Sequence, residues 1–147
     1  AGRTLVAGAR RDGMTLFCVT LNAPSDWADH TALFDWGFAC YQARPLAGAG
    51  ERVGQLPVSG GLAPVCPVET GEDLVAALTP EERVEAVYEL NEASLAAPVV
   101  RGAQVGEVIY YVNSKELARL PLKAGRSVSD IRAQGGGFRL WRSVCKN

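Results

Sequence analysis

The 147-residue chain carries 15 basic and 16 acidic side chains, a net charge of −1, with 48% hydrophobic and 21% charged residues. That composition is globular rather than disordered, allows one ordinary domain or two small ones, and supplies no overall field for nucleic acid, so no nucleic-acid partner is expected. No run of 18 apolar residues is available for a transmembrane helix. Cys18, Cys40, Cys66, Cys145 and the single His30 show no CxxC or zinc spacing, so neither metal nor cofactor is expected.

Thr4–Ala9 and Met14–Leu21 are nearly all apolar or Thr and read as two strands joined at Arg10-Arg11-Asp12-Gly13, a turn built on Asp-Gly. Such runs predict a hairpin buried on both faces. Ser25 is an expected N-cap, with Asp26 and Asp29 in the first turn of a helix over 26–41. Its Trp27, Phe34 and Phe38 stripe is expected to be core, and Pro45 to end the region. Cys18 and Cys40 lie in apolar runs, which predicts buried, unpaired thiols. One hairpin and one helix cannot cover these faces, so residues 1–43 read as a piece of a larger sheet. The chain opens in mid-pattern without an initiator Met, which reads as part of a longer protein.

From Leu46 the pattern changes to short strands and turns. Strands are expected at 52–58, 63–69, 73–78, 82–90, 104–112 and 115–122, with tight turns at 91–93 and 113–114. Thr79–Arg83 reads as a loop. This is a small all-β, sandwich-like module. After Leu122 the periodicity is lost, and Gly135–Gly137 form a joint. The last ten residues regain a helical pattern. Phe138, Leu140, Trp141, Val144 and Cys145 share one face, and Arg139, Arg142 and Lys146 the other. A short basic amphipathic helix of this kind suits a membrane interface and predicts weak binding to an anionic surface. Docking on the β module, or fraying, is the other reading.

Three stretches together resemble serine-type D-alanyl-D-alanine carboxypeptidases, the low-molecular-mass penicillin-binding proteins. Ala1–Ser25 resembles the Ala-Gly-led antiparallel strand pair that follows that family's Lys-Thr-Gly strand. Asp29–Phe38 resembles the last helix of the catalytic domain. Leu95–Ile109, continued by Glu116–Leu122, resembles the C-terminal β domain. The resemblance implies a mixed fold. Residues 1–44 would be the last hairpin and helix of an α+β, beta-lactamase/transpeptidase-like catalytic domain. Residues 46–123 would be the β-sandwich domain, and 124–147 a linker and short amphipathic tail. It implies that the whole protein trims the terminal D-Ala from peptidoglycan stem peptides by serine acyl-enzyme chemistry at the outer face of the bacterial cytoplasmic membrane. Stem peptides and beta-lactams would then bind through the part upstream of this chain.

The family's chemistry uses Ser-x-x-Lys, Ser-x-Asn and Lys-Thr-Gly. Only Ser143 has Lys three residues later, at Lys146, and it lies in the last five residues, beyond the β module. No Ser-x-Asn occurs, and Glu69-Thr70-Gly71 lacks the lysine. By family order the Lys-Thr-Gly would stand just upstream of Ala1, so no catalytic residue is assigned here. His30 has no nucleophile beside it and reads as structural. Glu81-Glu82 and the Glu69, Glu72, Asp73 group read as solvated loop charges, and Arg10-Arg11 as a turn pair. A second reading is a non-catalytic β-sandwich module that spaces or docks a cell-wall enzyme at the membrane.

Overall fold

The computed structural model describes residues 2–132. The amphipathic pattern over 138–147 and the Gly135–Gly137 joint lie outside the described residues.

β1 (Thr4–Arg11) and β2 (Met14–Leu21) pair antiparallel from Thr4↔Leu21 to Arg11↔Met14. The strand runs through Arg10 and Arg11, so the turn is Asp12-Gly13 alone, with φ of +48° and +81°. Both values lie in the left-handed region that Asp and Gly tolerate. The side chains alternate: Leu5, Ala7, Ala9, Leu16, Cys18 and Thr20 turn to one face, and Val6, Phe17, Val19 and Leu21 to the other. Only the first face is covered. The expectation of two buried faces is therefore corrected: within this chain Phe17 is 79% exposed.

α1 (Asp26–Cys40) packs on that first face. Its buried positions are Asp26, His30 and Gly37. Gly37 lets the helix close on the hairpin, since a Cβ there would meet Leu16 Cδ1 at 2.6 Å. The aromatic stripe is not core as a whole. Trp27 is 66% exposed, and Phe34 and Phe38 are half-buried. A two-stranded hairpin is too narrow to cover more than the 26/30/37 line of a helix. Ser25 stands at the N-cap position but its side chain makes no capping bond; the Trp27 N–H instead donates to Asp26 Oδ1 at 2.9 Å.

The chain then enters the β module directly. β3 (Gln42–Ala47) pairs antiparallel with β6 (Leu74–Leu78), so Pro45 does not end a region but lies inside a strand. A two-stranded sheet has only edges, and an edge tolerates the missing N–H. The other strands are β4 (Arg52–Ser59), β5 (Val65–Thr70), β7 (Val84–Leu90), β8 (Leu95–Ala96), β9 (Gln104–Val112) and β10 (Lys115–Ala124). They form one sheet in the order β7-β9-β10-β5-β4-β8. Asn113 and Ser114, at φ +50° and +67°, make the tight turn between β9 and β10. Residues 91–93 do not close a hairpin. They carry the chain across to β8, which pairs parallel with β4 at Val58↔Leu95.

The described residues are thus mostly β, with one helix. The core lies between the six-stranded sheet and the β3–β6 pair: Leu56, Val58, Cys66, Val68, Val105, Val108, Tyr110, Leu120 and Leu122 pack with Ala47, flanked by Leu46 and Leu74. Each buried Val or Leu among them contributes roughly 1.5–3 kcal/mol. The segment after Leu122, which has no periodicity, still belongs to this core through Val128, which is 3% exposed. On the outer face, Arg119 of β10 bridges Glu107 of β9 at 3.0 Å and Glu89 of β7 at 3.8 Å. Hydrogen bonds to Glu107 and Glu116 raise its already high pKa further, so it stays charged.

Candidate functional site

The module has two distinct ends. β3 begins at Gln42, opposite Leu78, next to the 79–83 turn; the Arg44 guanidinium donates to the Glu82 carbonyl at 3.4 Å, and the Asn113 N–H to Arg83 O at 3.1 Å. This is the end at which the hairpin–helix unit joins. β4 and β10 both run away from it. Their far ends, together with the start of β9, are bound to three loops: 59–64, 97–103 and 125–132. The Leu62 N–H donates to Ser129 O at 2.9 Å, the Ile131 N–H to Gly60 O at 2.9 Å, and Val99 and Val128 exchange bonds of 2.8 and 2.9 Å. The Arg101 N–H donates to Ser127 Oγ at 3.0 Å. The chain leaves the described residues from this second end.

No acyl-transfer site is assembled among the described residues. Ser59 Oγ donates to Leu95 O at 3.2 Å and Ser127 Oγ accepts from Arg101 N–H. Neither is next to a general base. Among the described residues no group of three His, Cys, Asp or Glu could hold a metal. His30 is 3% exposed; its Nε2 lies 3.1 Å from Thr20 Oγ1, and its ring stands edge-on to Phe34. It ties helix to hairpin through the Thr20 hydroxyl, inside their packed interface. Ser143 and Lys146 lie outside the described residues.

The charged groups singled out in the sequence are mostly staples. Asp26 pairs with Arg3 at 2.6 Å, joining the helix start to the chain before β1. Arg11 meets Asp35 at 3.5 Å and stacks over Phe38 at 4.7 Å. Asp73 accepts from the Ala49 N–H at 2.7 Å, and Glu82 from the Thr79 N–H at 2.8 Å. Glu69 and Glu82 are half-buried rather than fully solvated, while Glu72, Asp73 and Glu81 are exposed. Cys18 and Cys66 are buried free thiols, whereas Cys40 is only half-buried.

The described residues expose several apolar patches, two of which bear on function. The first is the apolar hairpin face of Val6, Phe17, Val19 and Leu21. The second lies at the far end of the module, where Leu62, Val100 and Ile131 are exposed beside Arg101, Arg126 and Arg132. The sequence holds a trace of the second in the apolar–arginine pairs Val100-Arg101 and Ile131-Arg132. Only the fold brings them together.

A sequence model of the family described as "Penicillin-binding protein 5, C-terminal domain" matches residues 41–130. The D-alanyl-D-alanine carboxypeptidase DacA of Haemophilus influenzae is 28% identical over 149 residues, covering 96% of this chain and 37% of the relative. The D-alanyl-D-alanine carboxypeptidase DacC of Escherichia coli is 29% identical over 98% of this chain and 36% of its own length. The chain therefore spans little more than a third of the curated relatives it matches. Among solved structures, penicillin binding protein 5 from Haemophilus influenzae superposes with a TM-score of 0.68 at 25% identity, over 86% of this chain and 39% of that one. A peptidoglycan synthesis regulatory factor from Streptococcus pneumoniae superposes with a TM-score of 0.65 at 18% identity, a likeness of fold alone.

Proposed function

The chain belongs to the family of penicillin-binding protein 5 C-terminal domains, and we propose that it serves as the C-terminal part of a D-alanyl-D-alanine carboxypeptidase. In this reading the whole protein removes the terminal D-Ala from peptidoglycan stem peptides through a serine acyl-enzyme, at the outer face of the bacterial cytoplasmic membrane. Stem peptides and beta-lactams bind the part supplied by residues upstream of this chain. The β module holds that part away from the membrane, and the C-terminal segment, with Phe138, Arg139, Leu140, Trp141, Arg142, Val144 and Lys146, contacts the anionic surface.

The observation that carries the reading is the open face of the β1–β2 hairpin. Val6, Phe17, Val19 and Leu21 form a contiguous apolar face on a sheet too small to stand alone. A further layer of the enzyme is what such a face requires. The curated carboxypeptidases align with this hairpin and helix as well as with the β module. The test is labelling with a fluorescent penicillin followed by denaturing electrophoresis. The reading expects the protein extended upstream to be labelled and the 147-residue chain alone to remain dark. An upstream reading frame without Ser-x-x-Lys, Ser-x-Asn and Lys-Thr-Gly, or a labelled isolated chain, would sink it.

The layout of the two ends favours the spacer role of the module. The hairpin–helix unit joins at one end, and the chain departs from the other. A β module rigidly paired across six strands transmits that separation without a hinge of its own.

A further inference from the structure

We propose that the far end of the β module, formed by 59–64, 97–103 and 125–132, is itself a docking surface for an anionic lipid bilayer, distinct from the C-terminal amphipathic segment. The proposal rests on the reading above that the module faces a membrane, and deepens it by assigning the contact to named loops.

Three observations carry it. The first is shape. Leu62, Val100 and Ile131 are 50%, 66% and 58% exposed, one from each loop, while Val99 and Val128 beside them turn into the core. The second is the backbone. The N–H groups of Leu62 and Ile131 are bonded internally, to Ser129 O and Gly60 O. These two of the three apolar tips, their amides already paired, can enter the acyl boundary without stranding those N–H groups there. The third is charge. The three loops hold Arg101, Arg126 and Arg132 against Asp130, a net +2 (3 − 1), whereas the whole chain is −1, leaving −3 for everything else. Asp130 Oδ1 accepts from the Arg132 N–H at 2.8 Å, so the acid is engaged with backbone. Arg126 donates to the Val65 carbonyl. Arg101 and Arg132 are exposed and in no ion pair among the described residues. Apolar tips set among arginines fit a headgroup layer over an acyl region; a soluble polyanion would have no use for the tips.

The experiment is co-sedimentation of the full chain with phosphatidylglycerol-rich vesicles, at low and at physiological salt. R101Q/R132Q is expected to lower partitioning about 25-fold at low salt, about fivefold for each arginine near an anionic surface. L62S/I131S is expected to lower the part that survives physiological salt. R83Q, an exposed arginine at the opposite end, is expected to change nothing. Trp141→Ala is measured beside them, and binding retained by that variant but lost in the loop variants places the contact on the module whatever the tail does. Loop variants that partition like the parent, an R83Q loss equal to R101Q/R132Q, or competition by soluble polyphosphate that leaves no vesicle binding would each overturn the proposal. Penicillin labelling of the upstream-extended protein is unaffected by all of these results, so the carboxypeptidase reading stands or falls separately.

Discussion

His30 Nε2 on α1 lies 3.1 Å from the hydroxyl of Thr20 on β2, with the imidazole 3% exposed between helix and hairpin. With the Arg3–Asp26 ion pair, it ties the buried line of Asp26, His30 and Gly37 to the hairpin. Thr20→Val keeps the shape and removes the bond, and is expected to cost about 1 kcal/mol. Amide exchange of α1 should accelerate while β9 and β10 are unchanged. Equal acceleration in both would mean that hairpin and module unfold as one unit.

The open hairpin face makes residues 2–41 the less protected half. β1, β2 and α1 share one small interface, whereas β9 and β10 lie inside a six-stranded sheet. Hydrogen exchange should rank the hairpin and helix well below β5, β9 and β10. Phe17→Ser should leave the stability of the isolated chain within about 0.5 kcal/mol, because the ring is already in water, and should reduce self-association. In the protein extended upstream the same substitution should destabilise by several-fold more if, as proposed, a further layer covers the face there. Equal effects in the two forms would argue that nothing docks on it.

Gly106 on β9 is buried opposite Leu90 of the neighbouring antiparallel strand β7. A Cβ at this position would run into the Glu89 carbonyl oxygen and meet Leu90 Cα at 3.0 Å. Both obstacles are backbone, so neither can rotate away. Gly106→Ala is expected to cost roughly 1–3 kcal/mol and to free the amides of β7 first. Urea melts and residue-resolved exchange test both parts of that statement.

Tyr110 is buried in the module core, and its hydroxyl pKa is raised above 10.0 by burial first, then by Tyr88 and Glu51. The folded state therefore holds the phenol proton more tightly than the unfolded chain does. The corresponding stability is fully present below pH 10.0 and is lost as the pH climbs through the raised folded value. Denaturant midpoints should fall above that pH in the parent and fall less in Tyr110→Phe. Parallel curves would assign the alkaline loss to other groups.

The strand at Met14–Leu21, the helical run after Pro24, the turn at Asn113-Ser114 and the span of β9 were all legible in the sequence, because each is a short-range pattern with a composition, period or turn chemistry of its own, but the one-sided burial of the hairpin was not. That Ser143–Lys146 is the one Ser-x-x-Lys pattern, placed in the last five residues, is likewise read from the sequence alone. Local pattern could not decide which line of the helix would be buried. Trp27 and Phe34 scored as core by hydrophobicity, yet the narrow hairpin selected Asp26, His30 and Gly37 by width and close approach. It misread Pro45, since a proline stops a central strand but not an edge, and edges exist only once strands are placed. It also left 124–132 as featureless chain. Val128 is core only because Val99, 29 positions away in sequence, pairs with it, and the same long-range pairing sets Arg101, Ile131 and Leu62 on one surface. The tertiary structure decided these points because they depend on contacts between segments whose separation along the chain leaves no periodic mark in either one.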